Sequence, residues 1–248
     1  MSLDEFTSNG VFATRNPQPE TPNSKSFFRL GDQLITLEKQ GINKSSYLLV
    51  SLHSNKLGAI NTMMEFAEER QVNFLRLLNQ DKRNVEAMFL DRQISFDPNS
   101  IFTKLGRKAC LLSNKYLDKI TDMKIRQFAQ FMLDEMPSEE TIVTLHSETN
   151  NSVNYYIPGG KKGKSAKCIF KSAACKPSNY FLTTSEEIYN ALVEKNCNVV
   201  LLHKKKAKDD GSLSIYCVRT GKPYVSIETA GNKNAQEEML HTIDSILQ

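Results

Sequence analysis

The sequence contains no hydrophobic run that approaches the roughly 20 residues needed to span a bilayer. Residues 1–24 are polar and lack the apolar segment of a secretory signal. We therefore expect no membrane insertion. We place the protein in the cytoplasm, or in the periplasm if a signal sequence has been removed.

Cysteine is sparse and dispersed. The five cysteines form no C-x-x-C pair; they are Cys110, Cys168, Cys175, Cys197 and Cys217. An odd, scattered set argues against a disulfide framework and against a zinc finger, so we expect buried free thiols.

Charge of either sign is only mildly in excess, since the 248 residues carry a net charge of +4. Lysine is nevertheless concentrated in two runs, namely Lys161, Lys162, Lys164 and Lys167, and Lys204, Lys205, Lys206 and Lys208. Such runs can follow a phosphate backbone. Because no aromatic or recognition-helix pattern accompanies them, we interpret them as solvated loops and not as a nucleic-acid site.

Short apolar runs alternate with stretches of helical spacing along most of the chain. The runs predict strands at 47–52, 71–78, 141–146, 179–184, 197–202 and 223–228, and hairpins at 27–38 and 85–96. Helices are predicted after His53, at 117–136, 186–195 and 235–247, and the alternation in 211–217 predicts one further strand. This order indicates an α/β fold with a mixed, largely parallel sheet flanked by helices. Residues 1–25 are predicted to form a flexible arm and 26–248 a single domain.

Two of the predicted strands end in the same three residues, Leu-His-Ser. His53 follows the strand 47–52, and His146 follows the strand that begins at Thr141. In an open α/β sheet, ligands bind outside the carboxyl ends of the strands, so both imidazoles can face one crevice. A lone histidine after a strand is otherwise a hydrogen-bonded loop residue, and both interpretations stay open at this point.

Five pieces of the sequence resemble a family. They are L-H-S-N-K at 52–56, F-D-P-N-S-I-F at 96–102, L-H-S-E-T-N at 145–150, D-D-G-S-L-S-I-Y-C at 209–217 and V-S-I-E-T at 225–229. They resemble a little-characterised bacterial group that is similar to zinc carboxypeptidases and to succinylglutamate desuccinylases and aspartoacylases. The resemblance covers residues 45–245 and implies a zinc-carboxypeptidase-like fold. It also implies a role for five residues: zinc ligation for His53 and His146, substrate contact for Asn99, general-base action for Glu228 and carbonyl polarisation for Arg83.

The chain departs from the family pattern at two positions. Lys56 stands where the family has its carboxylate ligand, and an ammonium group has no lone pair with which to bind zinc. Ser100 stands where the family has the arginine that grips a substrate carboxylate, so the two-pronged donor is missing. We expect zinc affinity to fall sharply. Lys56 either lies near the metal position and faces Glu228 or points to solvent in an abandoned site, and both interpretations stay open. Asn99, Ser100 and Lys56 are the predicted substrate-binding residues.

These departures favour a pseudoenzyme: a carboxypeptidase-like protein that lacks metal-dependent catalysis and keeps a pocket for binding or regulation, with a small molecule or peptide as its ligand. The alternative is an active metal-dependent hydrolase of an amide or peptide bond. That enzyme would use His53, His146 and a non-standard third ligand, for which Glu148 is the nearest candidate, with Glu228 as general base. The sequence identifies no protein partner.

Overall fold

The computed structural model describes residues 23–41, 45–89, 91–115 and 118–248. They form eleven strands and six α-helices. The strands are β1 (Asn23–Leu30), β2 (Gln33–Gln40), β3 (Tyr47–Ser51), β4 (Asn73–Leu78), β5 (Val85–Phe89), β6 (Arg92–Phe96), β7 (Thr141–Ser147), β8 (Ala166–Phe170), β9 (Tyr180–Thr183), β10 (Val199–Leu202) and β11 (Tyr224–Thr229). The helices are α1 (Leu57–Arg70), α2 (Lys104–Ser113), α3 (Lys119–Asp134), α4 (Glu186–Glu194), α5 (Leu213–Thr220) and α6 (Lys233–Leu247).

Nine strands form one sheet in the order β1-β2-β4-β3-β7-β11-β9-β10-β8, and β5 and β6 form a separate hairpin. The four central strands β4, β3, β7 and β11 are parallel. Strands β2, β9 and β10 run against all the others. The prediction of a mixed, largely parallel α/β sheet is confirmed.

Both faces of the sheet are buried, as the uninterrupted apolar sequence of β3 indicates. Leu48 and Val50 contribute to one hydrophobic cluster, together with Phe128 of α3. Tyr47 and Leu49 contribute to a second cluster on the other face, which contains side chains of α1, α4 and α6. The central strands are therefore fixed from both sides, and their carboxyl ends hold a constant position for the residues that follow them.

The predicted helices and hairpins are present, with ends shifted by a few residues. Leu117, the predicted start of α3, lies outside the described residues, as do residues 1–22 of the predicted arm. The last three arm residues belong to β1, where Lys25 is paired with Glu38 of β2. Helix α2 and strand β8 had no sequence prediction.

The strand predicted at 211–217 is wrong, because these residues begin helix α5. The hydroxyl of Ser212 accepts a hydrogen bond from the Ile215 N–H and caps the helix. Leu213 and Cys217, four positions apart, are both fully buried and lie on one helical face. The short alternation in this segment is compatible with a strand or a helix, and the capping Ser212 favours the helix.

Among the described residues, no helix is long and apolar enough to cross a membrane.

Candidate functional site at the carboxyl ends of the central strands

Three predicted site residues meet where the parallel strands end. His146 lies in β7 and is the direct cross-strand partner of Glu228 in β11. His53 follows β3, the other neighbour of β7, and its ring centroid lies 6.1 Å from that of His146. The prediction that both imidazoles face one crevice agrees with this geometry.

His53 is held by Asp97. The Nε2 atom of His53 lies 2.7 Å from Oδ1 of Asp97, and Arg83 donates to the other carboxylate oxygen at 2.8 Å. Burial opposes ionisation of Asp97, but the hydrogen bonds from His53 and the Asn99 N–H and the charge of Arg83 together lower its pKa. An ionised carboxylate only accepts, so Nε2 of His53 is the donor in this hydrogen bond.

His146 is in its neutral form. Burial lowers the pKa of this imidazole, and the neighbouring His53 and Arg83 act in the same direction against the opposing charges of Glu228 and Glu148. A neutral His146 imidazole therefore lies beside the His53 ring in the crevice.

Glu228 is 9% exposed and accepts two hydrogen bonds from neutral donors. Ser226 Oγ donates to one carboxylate oxygen at 2.8 Å, and Asn151 Nδ2 donates to the other at 2.8 Å. Burial and the charge of Glu228 raise the pKa of both Tyr156 and Tyr180, so these phenols stay neutral. The carboxylate thus has a partly apolar, uncharged surround.

Lys56 does not face Glu228, contrary to one of the two interpretations of the sequence. Its Nζ donates to the Ser147 carbonyl at 3.2 Å and lies 3.4 Å from Oε1 of Glu148. The same Glu148 oxygen lies 3.3 Å from Nη1 of Arg83. The reason is proximity along β7: Glu148 follows this strand directly beside the turn that carries Lys56, whereas Glu228 lies one strand further away.

Asn99 and Ser100, which were predicted with Lys56 to bind substrate, are engaged in local structure. The side-chain oxygen Oδ1 of Asn99 accepts from the N–H of Leu213, the first residue of α5, at 3.0 Å. The Ser100 hydroxyl donates to the Asp97 carbonyl at 2.7 Å. Asn99 still lines the crevice, whereas Ser100 is not among its lining residues.

The crevice is a cleft of about 430 Å³. Sequence reasoning placed His53, Arg83, Asn99, His146 and Glu228 in it, and its wall also includes Asn151, Tyr156, Ser226, Lys161, Lys162 and Lys208. Asn151 and the lysines come from the segments 150–165 and 203–208, which the sequence marked as loops. The segment 150–165 follows His146 closely along the chain and was expected to lie near the site, whereas nothing in the sequence indicated that the segment with Lys208 shares the cleft.

The residues present do not fit a zinc site with three protein ligands. Within the described parts of the chain, no three His, Cys, Asp or Glu side chains are grouped so that they could hold a metal ion. His53 does have the orientation typical of a metal-bound histidine, with its second nitrogen on a carboxylate. Lys56, which the resemblance aligns with the carboxylate ligand, contacts the Ser147 carbonyl and Glu148 with its ammonium.

No protein-family model matches this sequence, and neither does any curated protein. Solved structures do resemble its fold. A candidate metallopeptidase from Shewanella denitrificans is 13% identical, with 91% of this chain and 82% of that chain covered and a TM-score of 0.40. An aspartoacylase family protein from Mesorhizobium loti is 11% identical, with 93% and 68% covered and a TM-score of 0.47. A succinylglutamate desuccinylase/aspartoacylase from Rhodobacter sphaeroides is 10% identical, with 90% and 64% covered and a TM-score of 0.44.

These three solved structures, a candidate metallopeptidase and two proteins of the succinylglutamate desuccinylase/aspartoacylase group, are similar to this chain at low identity. At these identities the likeness concerns the fold and assigns no role to any residue of this chain.

Proposed function

We propose that this protein binds a small molecule or peptide in the cleft without zinc-dependent catalysis. The observation that carries the proposal is the placement of Lys56, whose ammonium lies between the Ser147 carbonyl and the Glu148 carboxylate beside the two histidines. A zinc ion needs a ligand with a lone pair at this point, and a protonated lysine offers none.

The charge distribution supports the same conclusion. Glu148 is the nearest carboxylate that could replace the missing ligand, but Lys56 and Arg83 both pair with it. Moving Glu148 toward a metal would leave two cations without their partner, and those cations would then repel the metal. The ion pairs of Glu148 with Lys56 and Arg83 therefore balance the charge of this carboxylate without a metal.

A cleft for a ligand remains. Its wall offers a buried carboxylate, two imidazoles, phenols and an arginine, which is the mixture of a few polar groups on a partly apolar surface that small-molecule sites use. A pseudoenzyme of this kind keeps the binding step of a hydrolase and loses the step that needs the metal.

The second candidate is a metal-dependent amide or peptide hydrolase. One observation favours it: His53 and His146 lie side by side, Asp97 holds His53, and Glu228 is the cross-strand partner of His146. This candidate requires Glu148 to leave its two cations, so metal content distinguishes it from the pseudoenzyme.

The test is the zinc content of the purified protein after incubation with zinc and desalting, measured by mass spectrometry. We expect no retained zinc in the wild type. We expect near-stoichiometric zinc in Lys56→Glu, because its carboxylate would supply a third ligand beside the two histidines. Lys108→Glu, an equal charge change at an exposed position of α2, serves as the control and should retain none.

Near-stoichiometric zinc in the wild type would overturn the proposal in favour of the hydrolase. Absence of zinc from Lys56→Glu would show that this lysine is not what keeps the metal out, and the proposal would lose the observation that carries it.

A further inference from the structure

The fold brings the two lysine runs together at one end of the cleft. Ser165 accepts at its carbonyl from the His203 N–H at 2.8 Å and at its hydroxyl from the Lys208 N–H at 3.2 Å. The loops 157–165 and 203–208 therefore lie side by side. Their lysines form one surface, here called the lysine patch, which consists of Lys161, Lys162, Lys164, Lys204, Lys205, Lys206 and Lys208.

The lysine patch carries a net positive charge even with its acidic neighbour Asp210, which is exposed and lines the cleft together with Lys208. All of its lysines are exposed, and none forms an ion pair within the described ranges. Lys167, nearby in β8, shows the contrast, because it is paired with Glu186. Like charges that crowd together raise the surface potential and attract an anionic partner.

Part of the lysine patch is also the rim of the cleft. Lys161, Lys162 and Lys208 line it, opposite Glu228. Lys162 is held in place by Tyr156, with its Nζ 3.5 Å from the phenol oxygen. The cleft thus has a negative floor and a positive rim that continues onto the outer surface.

The lysine patch requires an anionic group on the ligand, and Glu228 requires a cationic one. Its two hydrogen-bond donors, Ser226 and Asn151, are neutral, and no cation pairs with it among the residues that the structure describes. A buried carboxylate gains most from a partner that carries positive charge, and its remaining lone pairs are free to accept from one.

We propose that the ligand is an acidic peptide whose α-amino group binds Glu228 and whose acidic side chains lie on the lysine patch. This inference rests on the proposed function, because a zinc ion at the histidines would occupy the same floor. A cleft of about 430 Å³ takes only a short part of a peptide, and the remainder extends over the rim. A nucleic acid satisfies the lysines, but its backbone is anionic throughout and offers Glu228 no cation.

The experiment measures binding of the full-length protein to a pentaglutamate peptide that has a free α-amino group and a fluorophore at its carboxyl end. The comparison probes are the N-acetylated peptide and a thymidine pentanucleotide. The variant is Lys204→Glu, Lys205→Glu and Lys206→Glu combined. The matched control combines Lys104→Glu, Lys108→Glu and Lys119→Glu, the same charge change on exposed lysines outside the patch.

We expect the patch variant to bind pentaglutamate roughly tenfold more weakly, or worse, since three favourable surface pairs become repulsive. N-acetylation should weaken binding by about tenfold, the loss of one charged hydrogen bond. The control variant should stay within about twofold of the wild type, and wild-type binding should weaken with salt.

Three results would overturn the inference: equal weakening in the control and patch variants, no effect of N-acetylation, or tighter binding of the pentanucleotide than of the peptide. The last result would identify a nucleic-acid surface instead. Failure to bind pentaglutamate with no zinc retained removes this inference alone, whereas retained zinc removes the proposed function first.

Discussion

Asp97 organises the site more than any other residue, although no motif singled it out as functional. It accepts from His53, from Arg83 and from the Asn99 N–H, and its own carbonyl accepts from Ser100. One carboxylate therefore joins the end of β3 to the turn before β5 and to the short helix of residues 98–100. Sequence reasoning identified His53, His146 and Glu228 as neighbours because they follow strands. It missed Asp97, which lies 44 residues from His53 along the chain.

Asp209 is a second buried carboxylate, outside the floor of the site, and it predicts a pH-dependent stability. Its side chain is 6% exposed. Burial alone would raise its pKa, but hydrogen bonds from Thr103, the Gly211 N–H and Arg219 outweigh burial and lower it. A carboxyl group with a lowered pKa in the folded state stabilises the fold above its ordinary pKa of about 3.9, and this contribution is lost as the pH falls below that value.

We therefore expect Asp209→Asn to reduce the free energy of unfolding by about 1–3 kcal/mol at pH near 7, as for hydrogen bonds to a charged group. The difference from the wild type should shrink as the pH drops toward the folded-state pKa. Urea unfolding at a series of pH values measures it, with the exposed Asp81→Asn as control. A difference that stays constant through the acidic range would contradict the role assigned to the ionised carboxylate.

At the scale of elements, the backbone packing of α2 against the turn before α5 positions the wall of the cleft. Gly211 has a φ of +83°, and Ser100 and Gly106 approach it so closely that a Cβ on Gly106 would lie 2.2 Å from the Ser100 carbonyl oxygen. A backbone hydrogen bond from Phe102 to Gly211 joins the same segments at 2.9 Å. Asn99 also accepts a hydrogen bond from Leu213 at the start of α5. The close approach of Ser100, Gly106 and Gly211 therefore fixes the two segments that this hydrogen bond joins.

We expect Gly106→Ala to destabilise the fold by about 1–3 kcal/mol, the range for overpacking against rigid neighbours. Gly58→Ala in α1 is the matched helical control, since its Cβ meets no atom within 4 Å. Removing that glycine should leave stability unchanged or raise it by up to about 1 kcal/mol. The midpoints of thermal unfolding of the two variants provide the measurement, and equal midpoints would contradict the close approach.

Elements with a long apolar run or a clear capping residue could be predicted from the sequence. Elements whose apolar and polar residues alternate only briefly could not. The strand at 47–52 and the helix after Ser185 have an uninterrupted apolar run and a capping serine, respectively, and both are present. Residues 211–217 alternate over too short a stretch to separate a strand from a helix. Strand β8 is short and only partly buried, so its sequence has no apolar run to mark it.

At the scale of the whole molecule, the sheet divides the interior into two hydrophobic clusters, and the cysteines distinguish interior from surface. Burial raises the pKa of the Cys110 thiol to about 11 and that of Cys217 to about 12. Cys168 is exposed in β8. The prediction of free thiols agrees with this distribution, although only two of the five are fully buried.

Thiol labelling of the native protein near pH 8 should therefore modify Cys168 rapidly and leave Cys110 and Cys217 unmodified until the protein unfolds. Mass spectrometry of proteolytic peptides after timed labelling follows each site. Labelling of Cys217 as fast as Cys168 under native conditions would contradict the burial of the α5 face.

The position of β11 has a consequence for synthesis on the ribosome. This strand is the last in the sequence, yet it lies between β7 and β9. Until it emerges, β7 and β9 have an unpaired edge each, and Glu228 is absent from the space between them. The nascent chain can bury its first strands early, but the cleft can acquire its acidic floor only after β11 has followed the other described strands out of the ribosome.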